Sequence, residues 1–453
     1  MIRLLIFICP FTLFGQSSMN IELLDNWTDD NLMVNSTEIR YNDCWGFVQN
    51  GQEYAILGST EGTHFFKISN SDKLELVDSI AGRFQASTVI HRDIKVHNGF
   101  AYAVCDEGSS SLQIIDLQYL PDSVVVVNEE TDFFSRVHNV FIDTENDILY
   151  SCGGQESMGF DLFLQLWDIS DPLNISMLYS SSGAIPYVHD AYVRDNIAYL
   201  NCGDIGLRVY DFSNPASPIF LQNLSIYQEQ GYNHQGWMSP DGTKFLFTDE
   251  TNGKKIKNCK VNADHTVTIK NYFGTNNENN SVPHNLMLSN DFAYVAYYNE
   301  GLRVYDLRGI VPIEIAHYDT YPEESLFKME GAWGVYSELP SGRILVSDRH
   351  NGLFLFDFNE AIFSTPTDQD LLIYPNPTVD HGFTVKLNLP EIESFNIDLY
   401  DNYGKKVLNE STTGLSYITV LTNQIRAGIY HVVLSYTDNL GDIQKIRRKV
   451  VIR

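Results

Sequence analysis

Seven times in 453 residues the sequence repeats one pattern: a histidine or tryptophan opens an apolar run, and two further runs follow across tight turns. The opening residues are Trp45, His91, His138, His189, His234, His284 and Trp333, at intervals of 45 to 51 residues. The clearest copy starts at His189. Its runs are Ala191–Val193, Ile197–Leu200 and Leu207–Phe212, separated by the turns Arg194-Asp195-Asn196 and Gly203–Gly206. A unit of this length is one small sheet that cannot bury both faces alone. Repeats of ~40–50 residues with several strands each therefore specify a β-propeller.

The unit boundaries follow from turn chemistry. Asn98-Gly99, Asp195-Asn196 and Asp241-Gly242 accept the backbone angles of tight hairpins. A fourth run follows in most units, such as Leu74–Ile80 and Pro218–Leu224, but the seventh unit has none. An orphan run, Asn20–Trp27, is expected to supply it and so to close the ring without leaving a bare strand edge. The expected fold is all-β: a seven-bladed propeller closed by an N-terminal strand, then a small C-terminal β-sandwich.

Residues 1–15 read as an export signal, with Arg3 as the basic end, Leu4–Phe14 as the apolar stretch and Gly15 before the cut. The apolar stretch is too short for a membrane span of ~20 residues, and no transmembrane segment is expected elsewhere. The formal charge is −28. Setting aside Arg3 and the 9 basic and 8 acidic residues after position 370 leaves −30 on residues 16–370. Such a surface repels phosphate backbones, so nucleic acid is excluded as a partner. Cys44, Cys105, Cys152, Cys202 and Cys259 are odd in number. Three of them recur at one repeat position, so small buried thiols are expected rather than bridges.

After a linker at 361–370 the composition changes. Residues 371–453 carry about seven short alternating runs, as a β-sandwich would. This stretch resembles the C-terminal sorting domain (type A) of the type IX secretion system of Bacteroidota. The matching residues are Tyr374-Pro375-Asn376-Pro377, Asp398–Val407, Ala427-Gly428-Ile429-Tyr430 and Arg448-Lys449-Val450-Val451. The resemblance implies the type IX machinery as a partner through 371–453, and a secreted, extracellular or outer-membrane surface-attached protein. Within the expected propeller at 16–360, roughly Asn20–Glu360 is similar to the choice-of-anchor B family of LVIVD-repeat propellers. That likeness rests on Asn42-Asp43-Cys44-Trp45-Gly46, His91-Arg92-Asp93-Ile94-Lys95, His138-Asn139, His189-Asp190 and the strand ends Asp168, Asp211 and Asp306. It implies fold and address but no chemistry.

The chemistry that remains comes from repeat geometry. The opening residue of each first strand lies on the same face as the turn after the second strand. One face thus gathers His91, His138, His189, His234 and His284, with acids in the turns, among them Asp106, Glu107, Asp204, Asp249, Glu250, Glu300 and Asp348. Imidazoles and carboxylates together are natural ligands for a divalent metal ion. They also serve as structural hydrogen-bond partners between blades, and regular repetition favours that reading. Trp45 and Trp333 interrupt the histidines in neighbouring units. They either stack a sugar or peptide, beside Asp204, Glu300 and Asp348, or plug the ring where it closes. Asp143–Asp147 has a calcium-like composition but falls at a hairpin turn. No GxSxG, HExxH, phosphate loop or dinucleotide fingerprint is present. The expected function is binding of a glycan, protein or metal ligand at the cell surface. The alternative is a metal-dependent, hydrolase-like enzyme using the histidine face.

Overall fold

The computed structural model describes residues 17–34, 36–181, 183–275, 281–309, 311–322, 329–358, 371–379, 382–387, 394–401, 405–413, 417–437 and 443–453. The expected signal and linker lie outside the described residues. The chain divides into two compact units, 1–305 with 314–358, and 359–453 with 306–313.

The first unit is all-β and propeller-like. Six sheets have four antiparallel strands and a seventh has five. Unit four shows the plan, with strands Asp190–Arg194, Ile197–Asn201, Leu207–Asp211 and Ile219–Leu224 in spatial order. Its first hairpin turns on Asp195 and Asn196, both at positive φ, the combination that a two-residue turn between right-twisted strands requires. The innermost strands pack one upon the next, and Ala332–Tyr336 of the last sheet packs on Tyr41–Gln49 of the first.

Apolar faces of successive sheets share cores. Ile94 and Ile115 of the second sheet meet Ile56 and Phe65 of the first, and Val209 of the fourth meets Phe245 and Phe247 of the fifth. The aspartates that end third strands face turns. Asp168 accepts the Ser170 amide at 3.0 Å and Asp211 the Ser213 amide at 2.7 Å.

The N-terminal strand Glu22–Trp27 pairs antiparallel with Gly352–Asp357 and gives the seventh sheet its fourth strand. Asp25 then reaches the first sheet, accepting Lys73 Nζ at 2.9 Å and the Leu74 amide at 2.8 Å. Trp27 packs on Tyr41, His64 and Phe66. Ser18–Met19 adds a fifth strand to the sixth sheet.

All five cysteines among the described residues are buried free thiols. Asp143 forms a turn, accepting the Glu145 amide and the Asn146 side chain. In the fifth sheet Lys257 is buried with Asp249, Nζ to Oδ2 at 2.9 Å, both side chains fully enclosed.

The second unit has two antiparallel sheets. One joins Leu371–Val379, Gly382–Leu387 and Tyr417–Leu421; the other joins Lys406–Thr413, Ser394–Asp401, Gly428–Thr437 and Ile443–Ile452. Both contribute to one core, with Phe383, Val385 and Val420 against Ile397, Leu399, Val432 and Val450.

Candidate functional site

Innermost strands bring three kinds of side chain to the channel at the ring centre. In the third to sixth sheets the opening position carries a histidine, the next a polar group, and the position three further on a large side chain. Opposite pleat faces would separate the first and third of these. A bulge in the first, fifth, sixth and seventh sheets falls between them and restores a common direction.

The opening positions form a closed cluster. Ring centroids follow one another from His91 to His138 at 4.9 Å, His189 at 4.2 Å, His234 at 4.3 Å, His284 at 4.2 Å and Trp333 at 4.4 Å. Trp333 returns to His91 at 5.4 Å. All five predicted histidines therefore meet in one place. His189, His234 and His284 are buried, and His91 is the most open, its side chain 27% exposed.

The hydrogen bonds fix the tautomers. His189 Nδ1 faces the His234 carbonyl at 3.1 Å and His284 Nδ1 the Trp333 carbonyl at 2.6 Å. A carbonyl only accepts, so both Nδ1 atoms carry hydrogen and both Nε2 atoms present lone pairs. His138 has Asp106 Oδ2 at 2.9 Å from Nδ1 and His189 Nε2 at 2.8 Å from Nε2. Both partners accept, so His138 donates from both nitrogens and is an imidazolium. Burial works against that charge, but the Asp106 hydrogen bond and charge outweigh it and raise its pKa. Burial first, then the charge on His138, pushes His189 well below the ordinary range and His234 down to about 3. His91 Nδ1 meets Glu107 Oε1 at 2.7 Å, and Glu250 lies 3.8 Å from His234 Nε2 and accepts the Tyr298 hydroxyl.

The second layer holds the ring together. Asp43, Asp93 and Asp190 each accept the amide that follows them, at 2.9, 2.9 and 2.6 Å. Asp93 also accepts the Val140 amide of the next sheet at 2.7 Å, and Gln235 accepts the Leu286 amide at 3.0 Å. Lys95 bonds to Asp93. Burial works to raise the Asp93 pKa, but Lys95 outweighs it and the carboxyl is lowered. Burial pushes Asp190 up to about 7.

The third layer is aromatic: Trp45, Phe141, Tyr192, Trp237 and Tyr336, with Lys95 among them. All of these but Tyr336 line a cavity of about 390 Å³, whose rim includes Glu145, Arg194, Asp195 and Glu338. Beside the histidines the free space is only about 20 Å³.

Four site residues do not fall where the repeat alignment puts them. Trp45 is not beside Trp333. Its aspartate neighbour Asp43 matches Asp190, so the counterpart of His189 is Asn42, which turns towards Gly58. Trp45 lies three residues further along the strand, roughly 10 Å away, in the aromatic layer. Asp204 is exposed at its turn. Glu300 is buried, with Arg303 Nη2 3.9 Å away. Asp348 is buried and accepts Thr320 Oγ1 and the amides of His350 and Asn351. The acids that reach the histidines are Asp106, Glu107 and Glu250. The polar and aromatic layers are legible in the dipeptides His138-Asn139, His189-Asp190, His234-Gln235 and His284-Asn285, and in the bulky residue three places after each of these histidines, Phe141, Tyr192, Trp237 and Met287.

Residues 187–225 and 284–307 match the LVIVD repeat, and residues 372–453 match the secretion system C-terminal sorting domain, the type IX export tail. The chain is a secreted or cell-surface protein. Its partner for export is the type IX machinery. Among the described residues no helix is long and apolar enough to cross a membrane. No curated protein matches the chain. Among solved structures, a protein from Lactobacillus plantarum is 11% identical over 84% of this chain and 100% of that one, with a TM-score of 0.50. That likeness bears on fold alone. The computationally designed Ika8 protein gives 10% identity, a TM-score of 0.44, and 72% and 98% coverage. The extracellular domain of a protein described as a one component system from B. thetaiotaomicron gives 10% identity, a TM-score of 0.46, and 95% and 58% coverage.

Proposed function

We propose that residues 16–360 form a seven-bladed β-propeller of the choice-of-anchor B kind, closed by its N-terminal strand and exported by a signal at 1–15. A linker at 361–370 then leads to a β-sandwich sorting domain at 371–453. The propeller acts by binding, and its ligand carries an organic ammonium group.

The observation that carries this reading is the aromatic box. Tyr192 and Trp237 are inclined at 67°, Phe141 and Tyr192 at 56°, and Trp45 and Trp237 at 58°. Walls at such angles surround a rounded cation, whereas a sugar ring is better served by a flat platform. The box already faces one cation of the chain itself, since Lys95 Nζ lies 4.6 Å from the Trp45 ring centre. Glu145, Asp195 and Glu338 outnumber Arg194 at the rim, which leaves it negative, and the volume suits a small molecule. The enzyme alternative has less support, because about 20 Å³ beside the histidines holds roughly one water and no substrate.

Titration with choline, followed by tryptophan fluorescence, tests the reading against choline's neutral carbon isostere, dimethylbutanol. Saturable quenching by choline alone, lost in Trp237→Ala, is expected. Equal responses to both compounds, or binding of neutral sugars instead, would overturn it.

A further inference from the structure

We propose that the histidine cluster is a transition-metal site, in which His138, His189, His234 and Glu250 hold one divalent ion of the zinc class. The proposal is independent of the ammonium-binding reading, which concerns the other end of the channel.

Ligand atoms of His189, His234 and Glu250 lie within 4.8 Å of one another. His138 Nε2 stands 2.8 Å from His189 Nε2. Two nitrogens bound to one ion at ~2.0–2.1 Å stand roughly 2.9–3.4 Å apart, so His138 and His189 open by a few tenths of an ångström to take an ion, while His234 and Glu250, 3.8 Å apart, close in on it. The ion takes the place of the proton between His138 and His189, which leaves with solvent. Three imidazoles and one carboxylate make a nitrogen-rich set that suits zinc and its neighbours and not calcium or magnesium, which seek oxygen.

The surrounding groups are arranged as a metal site's outer shell is. His189 Nδ1 donates to the His234 carbonyl, which fixes its ring with Nε2 turned inward. His138 Nδ1 is held by Asp106, and Glu250 by the Tyr298 hydroxyl. The acceptors facing the histidine N–H groups set ring orientation and raise ligand basicity, and the Tyr298 hydroxyl holds the Glu250 carboxylate in place. The neighbouring trio of His91, Asp106 and His138 is the weaker choice. There His91 is engaged by Glu107 and Asp106 by His138.

The test is zinc titration of the full chain after chelator treatment, by calorimetry and by metal content after gel filtration. One zinc per chain is expected. His234→Gln should weaken binding at least 100-fold, and Tyr298→Phe, which loosens Glu250 without removing a ligand, about tenfold. Substitution of the exposed His265→Asn should change nothing. No retained zinc in the wild type, or an unchanged affinity in His234→Gln, would overturn the proposal. Should His234→Gln fail to fold, the cobalt form of the wild type decides. Intense visible bands of a four- or five-coordinate site support it, and the weak spectrum of the hexaaquo ion overturns it.

Discussion

The 2.8 Å between Nε2 of His138 and Nε2 of His189 makes Asp106 the counter-charge of a buried cation. Asp106 Oδ2 stands 2.9 Å from His138 Nδ1, on the side away from His189. An asparagine there keeps the shape and removes the charge. Asp106→Asn is expected to cost the metal-free protein about 2–3 kcal/mol in urea unfolding, the range for a hydrogen bond to a charged group. A loss below about 1 kcal/mol would mean that His138 is neutral.

Lys257 offers a second test of buried charge. By strand register it stands where other third strands carry Arg208, Gln165 and Gln113, and its ammonium donates to Asp249 and to the carbonyls of Glu229 and Lys255. Asp249 is also bound by the Tyr227 hydroxyl and the Gly231 amide. Lys257→Met leaves that carboxylate enclosed without its cation, and is expected to cost about 3–5 kcal/mol. The double variant with Asp249→Asn should recover part of the loss, measured by urea unfolding of both.

The strand positions and the meeting of five histidines were legible because alternation, turn residues and repeat spacing are local signals. Trp45 stands out of place because Cys44-Trp45-Gly46 resembles Ala332-Trp333-Gly334 in composition, whereas the strand register sets Trp45 in the row of Tyr192 and Trp237. Which acid serves which histidine was also hidden. The turn acids that reach the cluster come from the two adjacent pairs Asp106-Glu107 and Asp249-Glu250, and tertiary packing alone separates the roles within each pair. Asp106 reaches His138 while Glu107 reaches His91, and Asp249 turns to Lys257 while Glu250 faces His234. The buried group of Asp43, Asp93 and Lys95 had a local trace in Arg92-Asp93-Ile94-Lys95, but its partners lie in other sheets.

The N-terminal strand should be required for the ring. Without Glu22–Trp27, strand Gly352–Asp357 presents a bare edge, and Asp25 no longer ties the last sheet to Lys73 and Leu74 of the first. A chain starting at residue 28 is expected to show a lower Tm and self-association in gel filtration. A monomer with an unchanged Tm would refute the closure.

His64 predicts a pH window. Its two ring nitrogens meet Ser79 Oγ and Ser59 Oγ, each at 2.8 Å, and Trp27 covers it. Burial, with Arg92 adding to it and Asp29 opposing, pushes its pKa down to about 4 from 6.5. The unfolded chain then binds more protons between those values. Stability from the neutral ring is full above pH 6.5 and is lost as pH falls through about 4. At ~1.4 kcal/mol per pKa unit, the loss between neutral pH and about pH 4.5 is roughly 2–3 kcal/mol. His64→Gln retains hydrogen-bonding groups and does not titrate. Urea unfolding at the two pH values should show the wild type losing that much more stability than the variant. Equal losses in both would place the proton on His64 in the folded chain as readily as in the unfolded one.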